Sequence, residues 1–196
     1  MDNYIIYFLD TETTGLNPLE NEIIEISIYR LNDNNQKTWF IRPKNISSIE
    51  EEALRINGHV LDDLLLKTKQ GKEKYLEQEK VIADIENWMS DDSSTVDDRI
   101  LIGQNPTFDK NFLEQLWKNN NAMDTFPFGR KIIDTIQVAL LLDLITDNKR
   151  KAYNLTSLAK DFEVKLEKAH RADADTRMTK DIWLKQFDIF RKAFKK

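Results

Sequence analysis

Two carboxylates placed two residues apart, Asp10 and Glu12, are the residues of this chain best suited to chemistry. They follow five consecutive large apolar residues at 5–9, a run that is typical of a strand buried on both faces within a sheet. Alternate side chains of a strand share a face, so both carboxylates lie side by side at its carboxyl end. No Lys or Arg lies within residues 5–16 to pair with them. A hard divalent cation, Mg2+ or Mn2+, would offset their charge.

A third acidic residue, Asp109, lies one turn into a predicted helix that follows a predicted strand at 99–103. If that strand neighbours the first one, Asp109 is expected to face Asp10 and Glu12. Taken alone, an acidic residue on a helix is more often solvated than functional, so this assignment depends on the surrounding pattern.

Near the end of the chain, Asp173 and Asp175 fall at the start of the last predicted helix, and His170 falls in the loop before it. Side chains two residues apart on a helix point to nearly opposite sides. Only one of the two aspartates can therefore join a common site, and the helical pattern does not say which.

The hydrophobic pattern predicts an α/β fold with a mixed sheet, because three strands joined by short turns are followed by strands that alternate with helices. In the second strand, Glu25 alternates with isoleucines, which predicts a half-buried strand. Strands are predicted at 5–9, 22–31, 38–42, 99–103 and 131–134, and helices at 49–56, 59–66, 80–89, 106–119, 135–145, 155–162 and from 172 onward. Residues 67–98 are expected to be a connector or insertion, with a mobile acidic loop at 90–98.

Composition is typical of a globular domain, with 196 residues, a net charge of -5 and 40% hydrophobic residues. The absence of cysteine excludes disulfides and cysteine-based zinc sites. The first residues lack the positive region of a signal peptide, and the apolar runs are too short to cross a bilayer, so we expect a cytoplasmic location and no membrane partner. The acidic balance argues against general nucleic-acid affinity but allows a metal-bridged phosphate site.

Three segments resemble the motifs of the DnaQ-like (DEDDh) 3'-5' exonucleases, which have a ribonuclease H-like fold. They are Asp-Thr-Glu-Thr-Thr-Gly-Leu at 10–16, Asn-Pro-Thr-Phe-Asp at 105–109, and a His with an Asp five residues later at 170–175. The resemblance covers nearly the whole chain. It implies a five-stranded mixed sheet whose first three strands are antiparallel, flanked by helices. The length of the chain separately predicts a single domain over 1–196. The resemblance also selects Asp175 over Asp173.

The resemblance implies that Asp10, Glu12, Asp109 and Asp175 bind metal, and that His170 acts with them in catalysis. Hydrolysis of a phosphodiester needs an activated water and stabilisation of charge on the phosphate and the leaving oxygen, which two divalent ions about 3.5 to 4 Å apart can provide. Four carboxylates are suitable ligands for two Mg2+ or Mn2+ ions. Histidine titrates near neutral pH, so His170 is the candidate general base, and the rate should rise with pH through neutrality.

The residues after the first motif hold the terminal nucleotide in that family, which implies that Thr13, Thr14 and Leu16 contact substrate. Asn105 and Phe108 are expected to line the same groove. The expected reaction releases nucleoside 5'-monophosphates from 3' ends of single-stranded nucleic acid, as in DNA proofreading or repair. Trimming of RNA 3' ends is an alternative, because no residue here decides tolerance for the 2'-hydroxyl.

A non-catalytic, polymerase-associated binding subunit is an alternative of another class, although the presence of all five candidate residues argues against it. Residues 186–190, Gln-Phe-Asp-Ile-Phe, resemble pentapeptides that bind bacterial sliding clamps, so a clamp or a polymerase is a candidate partner.

The basic residues at 149–151 either guide a nucleic-acid backbone or form a solvated loop. Lys165, Lys168 and Arg171 flank the candidate base and are better placed for such guidance. His59, the only other histidine, is expected to be structural.

Overall fold

The computed structural model describes residues 4–167 and 170–194, except the side chain of Phe194. Its centre is a five-stranded sheet formed by β1 (Ile5–Thr13), β2 (Ile23–Arg30), β3 (Asn35–Phe40), β4 (Arg99–Gly103) and β5 (Ile132–Asp134), in the order β3-β2-β1-β4-β5. The first three strands are antiparallel, and β4 and β5 run parallel to β1. The predicted α/β fold with a mixed five-stranded sheet is therefore confirmed.

Helices cover both faces of this sheet. They are α1 (Glu51–Asn57), α2 (Leu61–Leu64), α3 (Lys69–Lys74), α4 (Gln78–Ser90), α5 (Pro106–Asn119), α6 (Thr135–Thr146), α7 (Leu155–Asp161) and α8 (Ala172–Phe194). None of the helices in the described ranges is both long and apolar enough to span a bilayer.

The two faces of β1 pack against different helices. Tyr7 and Leu9 join the cluster formed with α4 and α5, whereas Ile6 and Phe8 pack against Trp183 of α8. Because side chains alternate along a strand, Asp10 and Glu12 continue the face that α8 covers, and Thr11 continues the face that α5 covers. This division decides which helix approaches each side chain of the first motif.

Strand β2 differs from its prediction, since all eight of its residues are buried rather than half of them. It lies between β1 and β3, and α8 packs over the face that had been expected to meet solvent. Thr176 of α8 donates a hydrogen bond to the carbonyl of Ser27 on this face. Glu25 is consequently enclosed, with no exposed surface.

The segment 67–98, predicted as a connector or insertion with a helix at 80–89, contains α3 and α4. Within its acidic loop, the Asp92 side chain is only 3% exposed, accepts a hydrogen bond from the Tyr7 hydroxyl, and pairs with Arg99 at 3.1 Å. Burial raises the pKa of the Tyr7 hydroxyl, and its hydrogen bond to Asp92 raises it further. These contacts tie Asp92 to β1 and β4 of the sheet.

Candidate active site

The carboxyl end of β1 carries the first motif, and α8 brings the third motif to the same face. Asp10, Glu12 and Asp175 each offer a carboxylate oxygen, and these three oxygens lie within 4.8 Å of one another. Asp175 lies in the first turn of α8 and is 7% exposed. Three of the four predicted metal ligands therefore form one group, which we call the carboxylate cluster.

Asp173 lies outside this cluster. Its carboxylate pairs with Arg177 at 3.1 Å, one turn further along α8, and lies 4.0 Å from the guanidinium of Arg171. The helical geometry thus places Asp175, and not Asp173, beside Asp10 and Glu12.

Asp109, which was expected to face Asp10 and Glu12, lies in the first turn of α5 and contacts the end of β1 at Thr11. Because α5 packs on the opposite face of β1, the Asp109 Oδ1 atom accepts hydrogen bonds from the Thr11 backbone N–H at 2.9 Å and the Thr11 hydroxyl at 2.7 Å. Asp109 is still close enough for its charge to raise the pKa of Asp10. It is a neighbour of the carboxylate cluster, with one oxygen already bound to Thr11.

The cluster carries strong electrostatic strain. Burial is the largest cause that raises the pKa of Asp10, followed by repulsion from Asp109, Asp175 and Glu12. Burial and the charges of Asp175 and Glu25 raise the pKa of Glu12 to about 8. Burial also raises the pKa of Asp109 to about 7 and that of Asp175 to about 6.

Burial raises all four pKa values, and repulsion between carboxylates raises those of Asp10 and Glu12 further, whereas a bound cation would favour the ionised forms. The buried Oδ1 atom of Asp175 also lacks a hydrogen-bond partner among the described residues. An unpartnered carboxylate oxygen among clustered carboxylates fits a hard divalent cation. The donor set therefore agrees with Mg2+ or Mn2+.

The backbone of His170 contacts the carboxylate cluster. Its N–H donates a hydrogen bond to Asp175 Oδ2 at 3.0 Å, and its φ of 60° turns the chain into α8. The residue is exposed. Lys168, which was expected to flank it, lies outside the described residues, and Lys165 lies among residues near α8 that line a separate depression.

The residues expected to contact substrate fall into two classes. Thr13 and Thr14 are buried and their hydroxyls serve the turn itself, since Thr13 donates to the Gly15 carbonyl and Thr14 accepts from the Glu22 N–H. Leu16, in contrast, is 78% exposed and free to contact a base.

The other two expected contacts lie at the start of α5. Asn105 occupies the predicted N-cap position but adopts a φ of 57° and makes no capping hydrogen bond through its side chain. Its backbone N–H donates instead to Asp134. Phe108 is half-buried against Phe112, with 4.9 Å between ring centroids.

Comparison with known proteins agrees with this arrangement. A family model described as exonuclease (RNase_T) matches residues 7–183, which include all five candidate catalytic residues. The chain belongs to the exonuclease family. This confirms the resemblance to the DnaQ-like exonucleases that the three motifs indicated.

Relatives of this exonuclease chain include much longer proteins. A PolC-type DNA polymerase III from Mycoplasmopsis pulmonis is 30% identical over 189 residues, and one from Lacticaseibacillus paracasei is 28% identical over 185 residues. The alignments cover 93% and 90% of this chain but 11% of each polymerase. The chain thus spans about a tenth of the length of these curated relatives.

Solved structures share the exonuclease fold at low identity. An exonuclease I from Methylocaldum szegediense matches with a TM-score of 0.73 and 20% identity, over 97% of this chain and 41% of that one. Exonuclease I of E. coli in complex with a dT13 oligonucleotide matches with a TM-score of 0.73 and 16% identity, over 97% of this chain and 43% of that one.

One residue of the site, Glu25, was missed by sequence reasoning. It lies directly opposite Glu12 in the β1–β2 ladder and is fully buried. Its Oε2 atom lies 2.9 Å from His59 Nε2, and His59 Nδ1 lies 2.6 Å from the Tyr75 hydroxyl. Its Oε1 atom has no hydrogen-bond partner among the described residues, and Arg171 Nε lies 3.7 Å from it.

His59 therefore has the structural place expected of it, as the partner of a buried carboxylate. The alternation of Glu25 with isoleucines was the only signal of this residue in the sequence. That alternation points to a residue near the site only once the β1–β2 register places Glu25 opposite Glu12.

The segment that resembles a clamp-binding peptide lies inside α8. Gln186 has no exposed surface, and its side chain donates to the Thr135 carbonyl at 2.9 Å. Phe187 stacks on Trp183, with 5.0 Å between ring centroids. Two of its five residues are thus held by the fold, which argues against binding as an extended peptide.

Proposed function

We propose that this chain is a metal-dependent 3'-5' exonuclease that removes nucleoside 5'-monophosphates from single-stranded DNA. The observation that carries this proposal is the carboxylate cluster of Asp10, Glu12 and Asp175, whose oxygens lie within 4.8 Å of one another in a chain of the exonuclease family. We assign residues 4–194 to one catalytic domain built on this sheet.

Asp10, Glu12 and Asp175 would hold a divalent ion, and the remaining oxygen of Asp109 would extend the set to a second one. When bound, such ions supply an activated water and stabilise charge on the phosphate and the leaving oxygen. His170 accepts the proton of the attacking water at its unprotonated ring nitrogen, from an exposed position next to Asp175. Both Mg2+ and Mn2+ suit these oxygen ligands.

The residues around the cluster would hold the 3'-terminal nucleotide. Exposed Leu16 packs against the terminal base, while the buried turn at Thr13 and Thr14 presents backbone groups to it. Asn105 and Phe108, at the start of α5, would line the same groove.

DNA is the favoured substrate because the relatives are named as DNA polymerases and a neighbouring structure holds a dT13 oligonucleotide. Trimming of RNA 3' ends is the second candidate for the same site. A polymerase is the favoured partner, since the matching segment of each relative is part of a polymerase chain.

The test uses 5'-labelled single-stranded DNA and RNA of identical sequence, incubated with Mg2+, Mn2+ or EDTA. We expect a ladder that shortens from the 3' end, faster on DNA, and that disappears with EDTA and in the Asp10→Ala variant. Asp173→Ala is the matched control, because it removes an aspartate near the site but outside the cluster, and it should keep the activity. Cleavage by Asp10→Ala at the rate of the unaltered protein would refute the assignment. Faster trimming of RNA would select the second candidate.

A further inference from the structure

A basic cleft lies between α6 and α7, away from the carboxylate cluster in sequence. It has a volume of about 480 Å3, and its lining includes Lys149, Arg150, Lys151 and Lys160. The three lysines are exposed, and none of them pairs with a carboxylate in the described part of the chain. Their side chains line one concave surface rather than separate parts of a loop.

Arg150 lines this cleft, and its side chain is held in place by its neighbours. Its side chain is 12% exposed, pairs with Asp143 and Asp161, and lies 4.7 Å from the centre of the Phe162 ring. The two aspartates outweigh the single charge of Arg150, so the three lysines supply the positive charge of the cleft and leave it with a net charge of about +2. The buried Nε of Arg150 lacks a hydrogen-bond acceptor among the described residues, although Asp161 lies 3.2 Å away.

The loop that forms the cleft is joined to the second motif. The Tyr153 carbonyl, near its end, accepts a hydrogen bond from Gln104 Nε2 at 2.6 Å. Gln104 directly precedes Asn105, where α5 begins. The position of the cleft is therefore fixed relative to the end of β4, the strand beside β1.

If the candidate active site acts on a polyanion, a basic surface is needed to offset the negative charge of the chain and of the carboxylate cluster. The chain has a net charge of -5, and the carboxylate cluster adds a local negative field. Residues 148–171 reverse this balance, with seven Lys or Arg and three Asp or Glu. A concave basic surface attracts a phosphate backbone and releases its counterions.

We propose that the cleft of Lys149, Lys151 and Lys160 over Arg150 binds backbone phosphates of the single-stranded nucleic acid whose 3' end lies at the carboxylate cluster. This proposal rests on the proposed function, and it adds the surface that holds the strand upstream of the cleaved bond. The cleft contains no proposed metal ligand, so it should bind the strand without divalent ions.

The test measures binding of a short fluorescein-labelled oligothymidylate by anisotropy, in EDTA and over a series of salt concentrations. The test variant combines Lys149→Gln, Lys151→Gln and Lys160→Gln. The control variant combines Lys72→Gln, Lys80→Gln and Lys118→Gln, which removes the same charge from exposed positions that do not line the cleft.

Loss of three phosphate contacts should make the slope of log affinity against log salt shallower by about 2 and weaken binding about a hundredfold near 0.1 M salt. The control variant should bind like the unaltered protein, and both variants should keep the melting temperature. Equal slopes for the two variants, no binding by the unaltered protein in EDTA, or equal displacement of the probe by polyglutamate would overturn the proposal.

A second substrate separates this proposal from the function on which it rests. The p-nitrophenyl ester of thymidine 5'-monophosphate has no upstream backbone phosphate for the cleft to bind, so its kcat/KM should be the same in the lysine variant. The KM for the oligothymidylate should rise in that variant while kcat stays constant. If the unaltered protein cleaves neither substrate, the exonuclease assignment fails, whereas the binding result still decides whether the cleft holds a strand.

Discussion

Replacing Glu12 by Gln should change how the stability of the metal-free protein depends on pH. The pKa of Glu12 rises from 4.5 to about 8 in the folded chain, because burial and the charges of Asp175 and Glu25 disfavour its ionised form. The contribution of Glu12 to stability is therefore complete below pH 4.5 and is lost as the pH rises through about 8. Glutamine carries no charge over this range, so the variant should lose less stability between acid and mildly alkaline pH.

The size of this effect follows from the two pKa values. Each pH unit between 4.5 and about 8 corresponds to about 1.4 kcal/mol, which gives an upper bound of about 5 kcal/mol. Glu12 is partly exposed, and solvent screening reduces the expected effect to about 2 to 3 kcal/mol.

Urea unfolding in EDTA at pH 5 and pH 8 measures this difference for Glu12→Gln and the unaltered protein. Glu20→Gln is the matched control, because Glu20 is exposed near the same turn. It should follow the unaltered protein. Addition of Mn2+ at pH 8 should restore the stability of the unaltered protein more than that of Glu12→Gln, because bound metal stabilises the folded state by mass action. An identical loss of stability between pH 5 and pH 8 in all three proteins would refute the argument.

Three further predictions concern residues around the cluster. His170→Ala should lower the rate at neutral pH by roughly 100-fold or more while Mn2+ affinity measured by calorimetry stays unchanged, and an unaltered pH–rate profile would exclude it as the base. Glu25→Gln should lower the pKa of Glu12, because it removes one of the buried charges that raise it. Urea unfolding of Glu25→Gln in EDTA at pH 5 and pH 8 would measure this change. A loss of stability between the two pH values equal to that of the unaltered protein would contradict the prediction. Asp92→Ala should cost about 2 to 4 kcal/mol of unfolding free energy, since it leaves Arg99 and Tyr7 buried without their partner. A loss within about 0.5 kcal/mol would show that the loop is not held to the sheet.

The sequence was sufficient to predict the central strand, because the features that identify β1 all lie within its own residues. Its apolar run at 5–9 and the two carboxylates that follow are local features, and the alternation of a strand is enough to place Asp10 and Glu12 on one face. The choice of Asp175 over Asp173 needed the family spacing, which the geometry of the cluster supports.

The features that sequence reasoning missed depend on contacts between distant segments. Asp109 bonds Thr11, 98 residues away, because α5 packs on the face of β1 opposite α8. The burial of Glu25 depends on coverage by α8 and on its partner His59, 34 residues away. Asp92 is held by Tyr7, 85 residues away, although its neighbours have the composition of a mobile loop. The contacts of these three residues depend on packing between distant segments, so no local sequence pattern could predict them.

Titration of the metal-free protein with Mn2+ by calorimetry tests the central claim most directly, since the carboxylate cluster is claimed to bind a divalent cation. The unaltered protein and Asp173→Asn should bind Mn2+ with the same affinity, because Asp173 pairs with Arg177 outside the cluster. Asp10→Asn should bind it roughly tenfold more weakly or worse, since it removes a ligand and a charge. Binding of Mn2+ by Asp10→Asn with the affinity of the unaltered protein would contradict the account.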